Sequence, residues 1–201
     1  MTKLVVKSTA TIAVLVLLVC FFWIYIIPKI SEHEQRQQQN KESCIVKRVV
    51  DGDTFELDGK DENGKNLRVR LLGIDTPEKW ESKKLDKDAE RTGKDKKVIQ
   101  RLGQLASDYV RKMCEGKRVI LVPEPNHEDK DVYGRLLRYI YLEDGTFVNK
   151  KIIEDGYGTA FRKYPVSKLD EFIKAEKEAR ENNRGLWGEV EGLKQLEGTG
   201  K

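Results

Sequence analysis

The feature that most constrains the fold of this chain is a succession of short extended segments closed by glycine or proline turns. Alternation of apolar and polar residues predicts strands over Cys44–Val50, Thr54–Leu57 and Leu67–Ile74. A helical pattern of apolar residues then runs from Val98 to Gly116. Two more strands are predicted after it, over Arg118–Val122 and Leu136–Leu142.

Two helices complete the predicted order. One covers Phe147–Glu154, and the other begins at a capping box, Ser167 to Asp170, and continues to Asn183. Five short strands with helices between and after them suit an α+β fold. We expect a five-stranded barrel of the oligonucleotide-binding (OB) type, with Greek-key connections and about three packed helices.

The amino-terminal part of the chain has a different composition. Residues 1–9 are short and basic, and residues 10–27 contain 18 consecutive residues without a charge. That run is just long enough to cross a bilayer as one helix. Residues 28–42 predict a polar stalk, residues 43–188 the folded domain and residues 189–201 a flexible tail.

Charges flanking the apolar run predict its orientation. Lys3 and Lys7 precede it, whereas Lys29 is followed by Glu32 and Glu34. The pattern favours a single-pass anchor in the cell membrane with a cytoplasmic amino terminus and an extracellular domain. Secretion after cleavage of a signal is the alternative. Lipidation at Cys20 fits poorly, because the apolar run continues past that residue.

The remaining cysteines and the two histidines limit the chemistry. An extracellular domain could join Cys44 and Cys114, but both positions also suit small apolar core residues. The histidines, His33 and His127, lie in the stalk and in a polar loop. That placement excludes paired-histidine nucleases and Ser-His-Asp hydrolases. A net charge of +4 is too balanced to indicate nucleic-acid binding by itself.

A candidate site begins on the third predicted strand. Arg70 lies on that strand, and the turn after it carries Asp75 and Glu78 around Pro77. Alone, such a turn is ordinary, with a solvated Glu. It gains meaning from a second acidic turn upstream, at Asp53, and from Arg135 downstream. Carboxylate and carbonyl oxygens suit a hard cation, and guanidinium groups suit a phosphate.

The site residues belong to three motifs, Val50-Asp51-Gly52-Asp53-Thr54, Arg70-Leu71-Leu72-Gly73-Ile74-Asp75-Thr76-Pro77-Glu78 and Tyr133-Gly134-Arg135-Leu136-Leu137-Arg138-Tyr139-Ile140-Tyr141. Together these motifs resemble the thermonuclease, or staphylococcal-nuclease-like, family, over about residues 44–187. The resemblance implies a calcium ion held by Asp53, Asp75 and the Thr76 carbonyl. It implies Glu78 as general base for water, with Arg70 and Arg135 on the scissile phosphate.

The same resemblance implies three substrate-contacting aromatic residues, Tyr133, Phe161 and Tyr164, that pack on bases of DNA or RNA. Single-stranded or unstacked substrate suits them, and the protein is expected to be monomeric. Val132 departs from the family, which often has a polar residue there. The charged segment 79–97 is longer than in compact members, and we expect it to be a mobile loop.

These patterns favour a membrane-tethered, calcium-dependent nuclease that hydrolyses DNA and RNA phosphodiesters. One alternative is a membrane-tethered OB-fold module that binds nucleic acid without catalysis. A calcium-stabilised protein-interaction domain is a further alternative. The retained set of acids and arginines favours the enzyme, because a binding module does not need them together.

Overall fold

A computed structural model describes residues 42–125 and 127–189 of the chain. The predicted basic amino terminus (1–9) and membrane anchor (10–27) lie outside the described residues, as do all but one residue each of the stalk (28–42) and the tail (189–201). Within the described ranges, the helices are all too short or too polar to cross a bilayer.

Five strands form a closed barrel, as the sequence predicts. They are β1 (Glu42–Asp51), β2 (Thr54–Lys60), β3 (Asn66–Leu71), β5 (Arg118–Val122) and β6 (Leu136–Leu142), arranged in the order β1-β2-β3-β6-β5. Neighbours are antiparallel except β3 and β6, which pair in parallel with Val69 opposite Leu136. This is the strand order of an OB-type barrel.

Alternation along the strands separates the core from the site. In β3, Val69 and Leu71 are buried, whereas Arg68 is exposed and Arg70 is half-buried. Val69 and Leu71 belong to one hydrophobic core that also contains Phe55. The period of two along a strand therefore places Arg70 on the face opposite that core.

The third predicted strand is interrupted. The chain leaves the barrel at Leu72 and Gly73, where Gly73 has φ +71° and Phe172 packs so closely that a side chain would not fit. Beyond this turn, β4 (Ile74–Asp75) pairs with β7 (Thr159–Ala160) in a separate two-stranded sheet. The interruption turns Asp75 and the residues after it away from the barrel wall.

The described ranges contain four helices of seven or more residues, α1 (Lys83–Thr92), α2 (Lys96–Cys114), α3 (Val148–Glu154) and α4 (Leu169–Glu181), and a further helical turn at 186–189. Helix α2 buries Leu102, Ala106 and Val110 on one face, as its spacing predicts. The expected mobile loop at 79–97 is wrong, because α1 lies within it. Ser82 caps that helix and Leu85 is buried beneath it.

The predicted capping box of the last helix is also wrong. Lys168 is the residue that precedes α4, and it makes no side-chain cap. The Ser167 backbone N–H and hydroxyl instead donate to Glu124, at 3.1 and 2.9 Å. A tertiary partner for Ser167 has thus replaced the local one.

The two cysteines of the domain occupy the core rather than a disulfide. Cys114 is fully buried at the end of α2, and Cys44 is half-buried against the same hydrophobic cluster. No disulfide joins them in the structure. The core interpretation of these positions is therefore the one that the structure supports, and burial raises the pKa of the Cys114 thiol to about 12.

Candidate active site

Arg70 binds both acids of the predicted cation site. Its Nη1 lies 2.5 Å from Asp53 Oδ2, and its Nη2 lies 3.2 Å from Asp75 Oδ1. Asp53 comes from the turn between β1 and β2, and Asp75 comes from β4. Strand β3 pairs with β2 so that Arg70 is opposite Thr54, which brings its guanidinium beside the Asp53 turn.

Asp53 is buried and held by a second turn. Its Oδ2 accepts hydrogen bonds from the Thr76 N–H and hydroxyl, each at 3.2 Å, and its Oδ1 accepts one from Thr54 at 3.0 Å. A Cβ on Gly52 would approach the Thr76 side chain to 2.8 Å, so only glycine lets these turns touch. Burial alone would raise the Asp53 pKa, but Arg70 and Lys84 outweigh it and hold this pKa below its usual range.

Lys84 completes the cluster from α1. Its Nζ donates to the Thr76 carbonyl oxygen at 2.8 Å and lies 3.1 Å from Asp75 Oδ1. Burial lowers the pKa of Lys84, but Asp75 and Asp53 more than compensate, and the net change is upward. Burial and the neighbouring Asp53 carboxylate raise the pKa of Asp75, in spite of the two cations beside it.

Arg135 joins the site from the loop before β6. Its guanidinium is paired with Asp131, with Nε at 2.7 Å and Nη2 at 2.6 Å from Oδ2. Its Nη1 donates to the Thr54 hydroxyl at 3.3 Å, and that hydroxyl in turn donates to Asp53. The two predicted phosphate-binding arginines are therefore connected through Asp53 and Thr54 at the start of β2.

Glu78 lies at the end of the same turn as Thr76 and is hydrogen-bonded to the Asp51 carboxyl. Two carboxyl groups can share such a bond only when one carries a proton. Burial, the Asp53 carboxylate and Glu78 together raise the pKa of Asp51 to about 7. Asp51 also accepts hydrogen bonds from Ser107 at 3.0 Å and from the Gly52 N–H at 2.8 Å.

Gly103 of α2 packs against the backbone of the turn that carries Pro77 and Glu78. A Cβ at this position would lie 2.6 Å from the Pro77 carbonyl oxygen and 2.7 Å from the Glu78 carbonyl carbon. Helix α2 therefore packs against the turn backbone to backbone.

The three predicted substrate aromatics fall into two places. Tyr133 is 81% exposed, with its ring 5.3 Å from the Arg135 guanidinium carbon. Phe161 and Tyr164 contact each other, with ring centroids 5.9 Å apart. They follow β7, and the Phe161 N–H donates to the Gly73 carbonyl at 2.8 Å. Their role in substrate binding stays a prediction.

The oxygens implied as calcium ligands fit a cation. Asp75 Oδ1 and the Thr76 carbonyl oxygen both contact the Lys84 ammonium, and Asp53 Oδ2 contacts Arg70. All three are hard oxygen donors, which calcium prefers. Among the described residues no group of three or more acidic, histidine or cysteine side chains could hold a metal. The implied set has only two such side chains, so water would supply the remaining ligands.

A separate cavity of about 250 Å³ lies behind the acidic turn. Asp75, Thr76 and Pro77 line it together with Trp187. Arg70, Glu78 and Arg135 do not line it. The cavity is therefore distinct from the face on which the arginines and Glu78 gather.

Sequence reasoning did not assign three residues of this cluster. Lys84 lay in the segment expected to be a loop, although Ser82 and Gly93 bracket a helix there and would have indicated it. Asp51 belongs to the first of the three motifs, and Asp131 lies two residues before the third. Their carboxyls partner Glu78 and Arg135, contacts that no local pattern indicates.

The chain is similar to known nucleases over this region. The family of staphylococcal nuclease homologues matches residues 68–189. The thermonuclease of Staphylococcus intermedius is 37% identical over 147 residues, covering 73% of this chain and 76% of that protein. The thermonuclease of Staphylococcus hyicus is 32% identical over 149 residues, covering 74% and 77%.

Endonuclease YhcR of Bacillus subtilis (strain 168) is 32% identical over 155 residues, covering 76% of this chain but 12% of the larger Bacillus protein. The barrel and these relatives together define the class: the chain is a nuclease, a hydrolase that acts on phosphodiester bonds of nucleic acids. The alternative of a non-catalytic binding module is set aside. The chain belongs to the family of staphylococcal nuclease homologues.

Proposed function

We propose that this nuclease is calcium-dependent and cleaves DNA and RNA by attack of a water molecule that Glu78 deprotonates. The observation that supports it is the convergence of distant segments. Asp53 contacts both Arg70 and Thr76 directly, and Arg135 is linked to Asp53 through the Thr54 hydroxyl. Glu78 follows Thr76 by two residues, and its side chain interacts with Asp51, which lies two residues before Asp53.

In the proposed reaction the two arginines bind the non-bridging oxygens of the scissile phosphate. Negative charge accumulates on these oxygens in the transition state, and a guanidinium offers them two parallel hydrogen bonds. Arg70 is half-buried and Arg135 is 25% exposed in its side chain. Both therefore hold their charge in a partly dehydrated site, where it acts more strongly than in water.

Glu78 acts as the general base. It takes the proton of the attacking water, and its hydrogen bond to Asp51 holds it in place. In the described residues the one histidine is His127, whose Nδ1 contacts the neighbouring Glu128 carbonyl oxygen in a surface loop. A carboxylate is accordingly the base that this site offers.

Calcium would be held by Asp53, Asp75 and the Thr76 carbonyl oxygen. When bound there, it would supply positive charge to the phosphate and lower the pKa of a coordinated water. The Thr76 hydroxyl and N–H keep Asp53 oriented for this purpose. The proposed site is complete within one chain, and we expect a monomer.

We expect single-stranded or unstacked substrate. Tyr133 is almost fully exposed beside Arg135, so a base next to the bound phosphate could stack on its ring. Stacking of this kind tolerates any base. Phe161 and Tyr164 would extend the contact along the strand.

The test is cleavage of single-stranded DNA and of RNA in calcium, in excess chelator, and in chelator followed by added calcium. Cleavage should disappear with the chelator and return with calcium. Magnesium at the same concentration is the control for a general ionic effect. Equal cleavage in calcium and in chelator would rule out the metal requirement.

We also propose that residues 10–27 anchor the nuclease in the cell membrane with its domain outside. The support is the uncharged apolar run, with lysines before it. Protease added to intact cells should then remove the domain from the membrane fraction. Recovery of the domain from the medium, with an amino terminus beyond residue 27, would instead indicate secretion after cleavage.

A further inference from the structure

Lys84 contacts the same oxygens that are implied as metal ligands. Its Nζ is 2.8 Å from the Thr76 carbonyl oxygen and 3.1 Å from Asp75 Oδ1. The third implied ligand, Asp53 Oδ2, is paired with Arg70 at 2.5 Å. The ammonium therefore occupies the position of a cation between Asp75 and Thr76.

The charges of the cluster balance with Lys84 in place. Asp53 and Asp75 bring two carboxyl groups close to one guanidinium, that of Arg70. Without a further cation, two ionised carboxylates would share a single positive charge. Lys84 supplies the second one, so in the ion-free site the repulsion between the two acids is offset by two neighbouring cations.

A calcium ion and the Lys84 ammonium would compete for these atoms. Calcium binds oxygen ligands at about 2.3–2.6 Å and needs lone pairs of both Asp75 and the Thr76 carbonyl. An ammonium that donates to those oxygens would face a divalent ion across a very short gap. Since like charges repel, one of the two must leave.

The surrounding structure lets the side chain leave while the helix stays. Helix α1 is fixed by the Ser82 cap and by Leu85, which is fully buried. The Lys84 side chain is 38% exposed, and its stem has four rotatable bonds. It can therefore swing into solvent from an α1 that keeps its position.

We propose that Lys84 is a tethered cation that fills the metal site in the absence of calcium and is displaced by it. It lowers the affinity of the site for the ion and so sets the calcium concentration at which the nuclease becomes active. This inference rests on the proposed calcium site. It assigns Lys84 as a positioning residue that acts through Asp75 and Thr76.

The test compares the full-length protein with K84M, K84R and K87M. Calcium affinity is measured by calorimetric titration, and the thermal midpoint is measured in chelator. K84M should bind calcium about tenfold more tightly or better, since it no longer has to displace a cation. In chelator it should melt at a lower temperature than the wild type, because the acids lose their counter-charge.

The two other variants separate this role from general effects. K84R keeps a cation at the position, so its calcium affinity should stay near that of the wild type. Lys87 is exposed on the same helix, and K87M removes the same charge without touching the cluster. Its affinity and melting temperature should both remain unchanged.

A merely structural lysine would behave differently. If K84M lowered both the ion-free stability and the calcium affinity, or if K87M tightened calcium binding as much as K84M, the proposal would be overturned. If the wild type bound calcium and K84M bound it with the same affinity, the Lys84 proposal would be overturned while the proposed calcium site would stand. If neither protein bound calcium, the proposed calcium site itself would fall as well.

Discussion

Asp131 Oδ2 accepts hydrogen bonds from Arg135, while its Oδ1 accepts the Arg135 backbone N–H at 3.0 Å. The same turn is built elsewhere from Asp61, whose Oδ1 accepts the N–H groups of Asn63 and Lys65, both at 2.9 Å. Both turns place a glycine at positive φ, Gly64 and Gly134. Only Asp131 adds an ion pair, so it aims Arg135 as well as shaping the loop.

Asp131→Ala should therefore reduce catalysis more than stability. Arg135 would lose the partner that fixes its guanidinium, and we expect kcat/KM to fall by about 10- to 100-fold. Asp61→Ala removes the same kind of turn cap from the β2–β3 hairpin, where Asp61 makes no contact with Arg135, and should leave kcat/KM near that of the wild type. Steady-state kinetics and thermal melts of both variants check this. Equal losses of activity would show that the turn alone matters.

Glu78→Gln should abolish most of the activity. The amide keeps a similar shape and can still hydrogen-bond Asp51, but it cannot take a proton from water. We expect kcat to fall by about 10²- to 10⁴-fold with little change in melting temperature. Glu81→Gln, on an exposed neighbour in the same segment, is the control. Wild-type turnover by Glu78→Gln would show that another group is the base.

Gly103→Ala should reverse the usual effect of alanine in a helix. Alanine normally stabilises a helix interior by about 1 kcal/mol over glycine. Here its Cβ would lie 2.6 Å from the Pro77 carbonyl oxygen. We expect a loss of about 1–3 kcal/mol in the free energy of unfolding. Because the Glu78 turn would also be pushed away from α2, we expect kcat to drop by about tenfold or more.

Denaturant titrations and kinetics measure both effects of Gly103→Ala. Gln104→Ala changes the next position of the same helix, which is exposed, and should alter neither property strongly. A Gly103→Ala variant that is more stable than the wild type would contradict the packing of α2 against the turn.

Asp51 should make the free energy of unfolding fall as the pH rises. Its pKa is raised to about 7 in the folded protein, so between about pH 4 and pH 7 the unfolded chain releases this proton while the folded protein keeps it. Ionisation therefore favours the unfolded state over that range. The loss of unfolding free energy caused by Asp51 is absent below about pH 4 and complete above about pH 7.

Asp51→Asn removes this titrating carboxyl group and should weaken the dependence of the unfolding free energy on pH. Relative to the wild type, the variant should gain about 1–3 kcal/mol in unfolding free energy between pH 4 and pH 8. Urea titrations in calcium-free buffer at the two pH values measure the change. A parallel pH profile for the two proteins would show that Asp51 titrates normally.

The barrel could be predicted from the sequence because its signals are local. Alternation in β3 separates Val69 from Arg70 within two residues, and the spacing in α2 marks its buried face over five turns. Helix α1 gave a weak signal of this kind, since Leu85 is its one buried residue. The residues at its two ends, Ser82 and Gly93, are the better indication that a helix lies between them.

The partners of the site residues needed coordinates. The resemblance brought Asp53, Arg70 and Arg135 together, and the structure places them in one connected cluster. Lys84 and Asp51 enter through contacts between elements distant in sequence, where residue type is compatible with many partners. The Ser167 side chain shows the same effect, because its hydroxyl donates a hydrogen bond to Glu124 rather than accepting one from the first turn of its own helix.

The parallel pairing of β3 with β6 is one of the two contacts that join strands remote in sequence in the barrel, with Arg70 opposite Leu137 and Arg135 just before β6. Parting of these two strands would carry the two arginines away from each other while most of the remaining ladder stays intact. Phosphate binding thus depends on the pairing of β3 with β6, two strands that are distant in sequence. The rate of hydrolysis should therefore report on whether β3 and β6 stay paired, since turnover will stop when they separate locally, well before the whole domain unfolds.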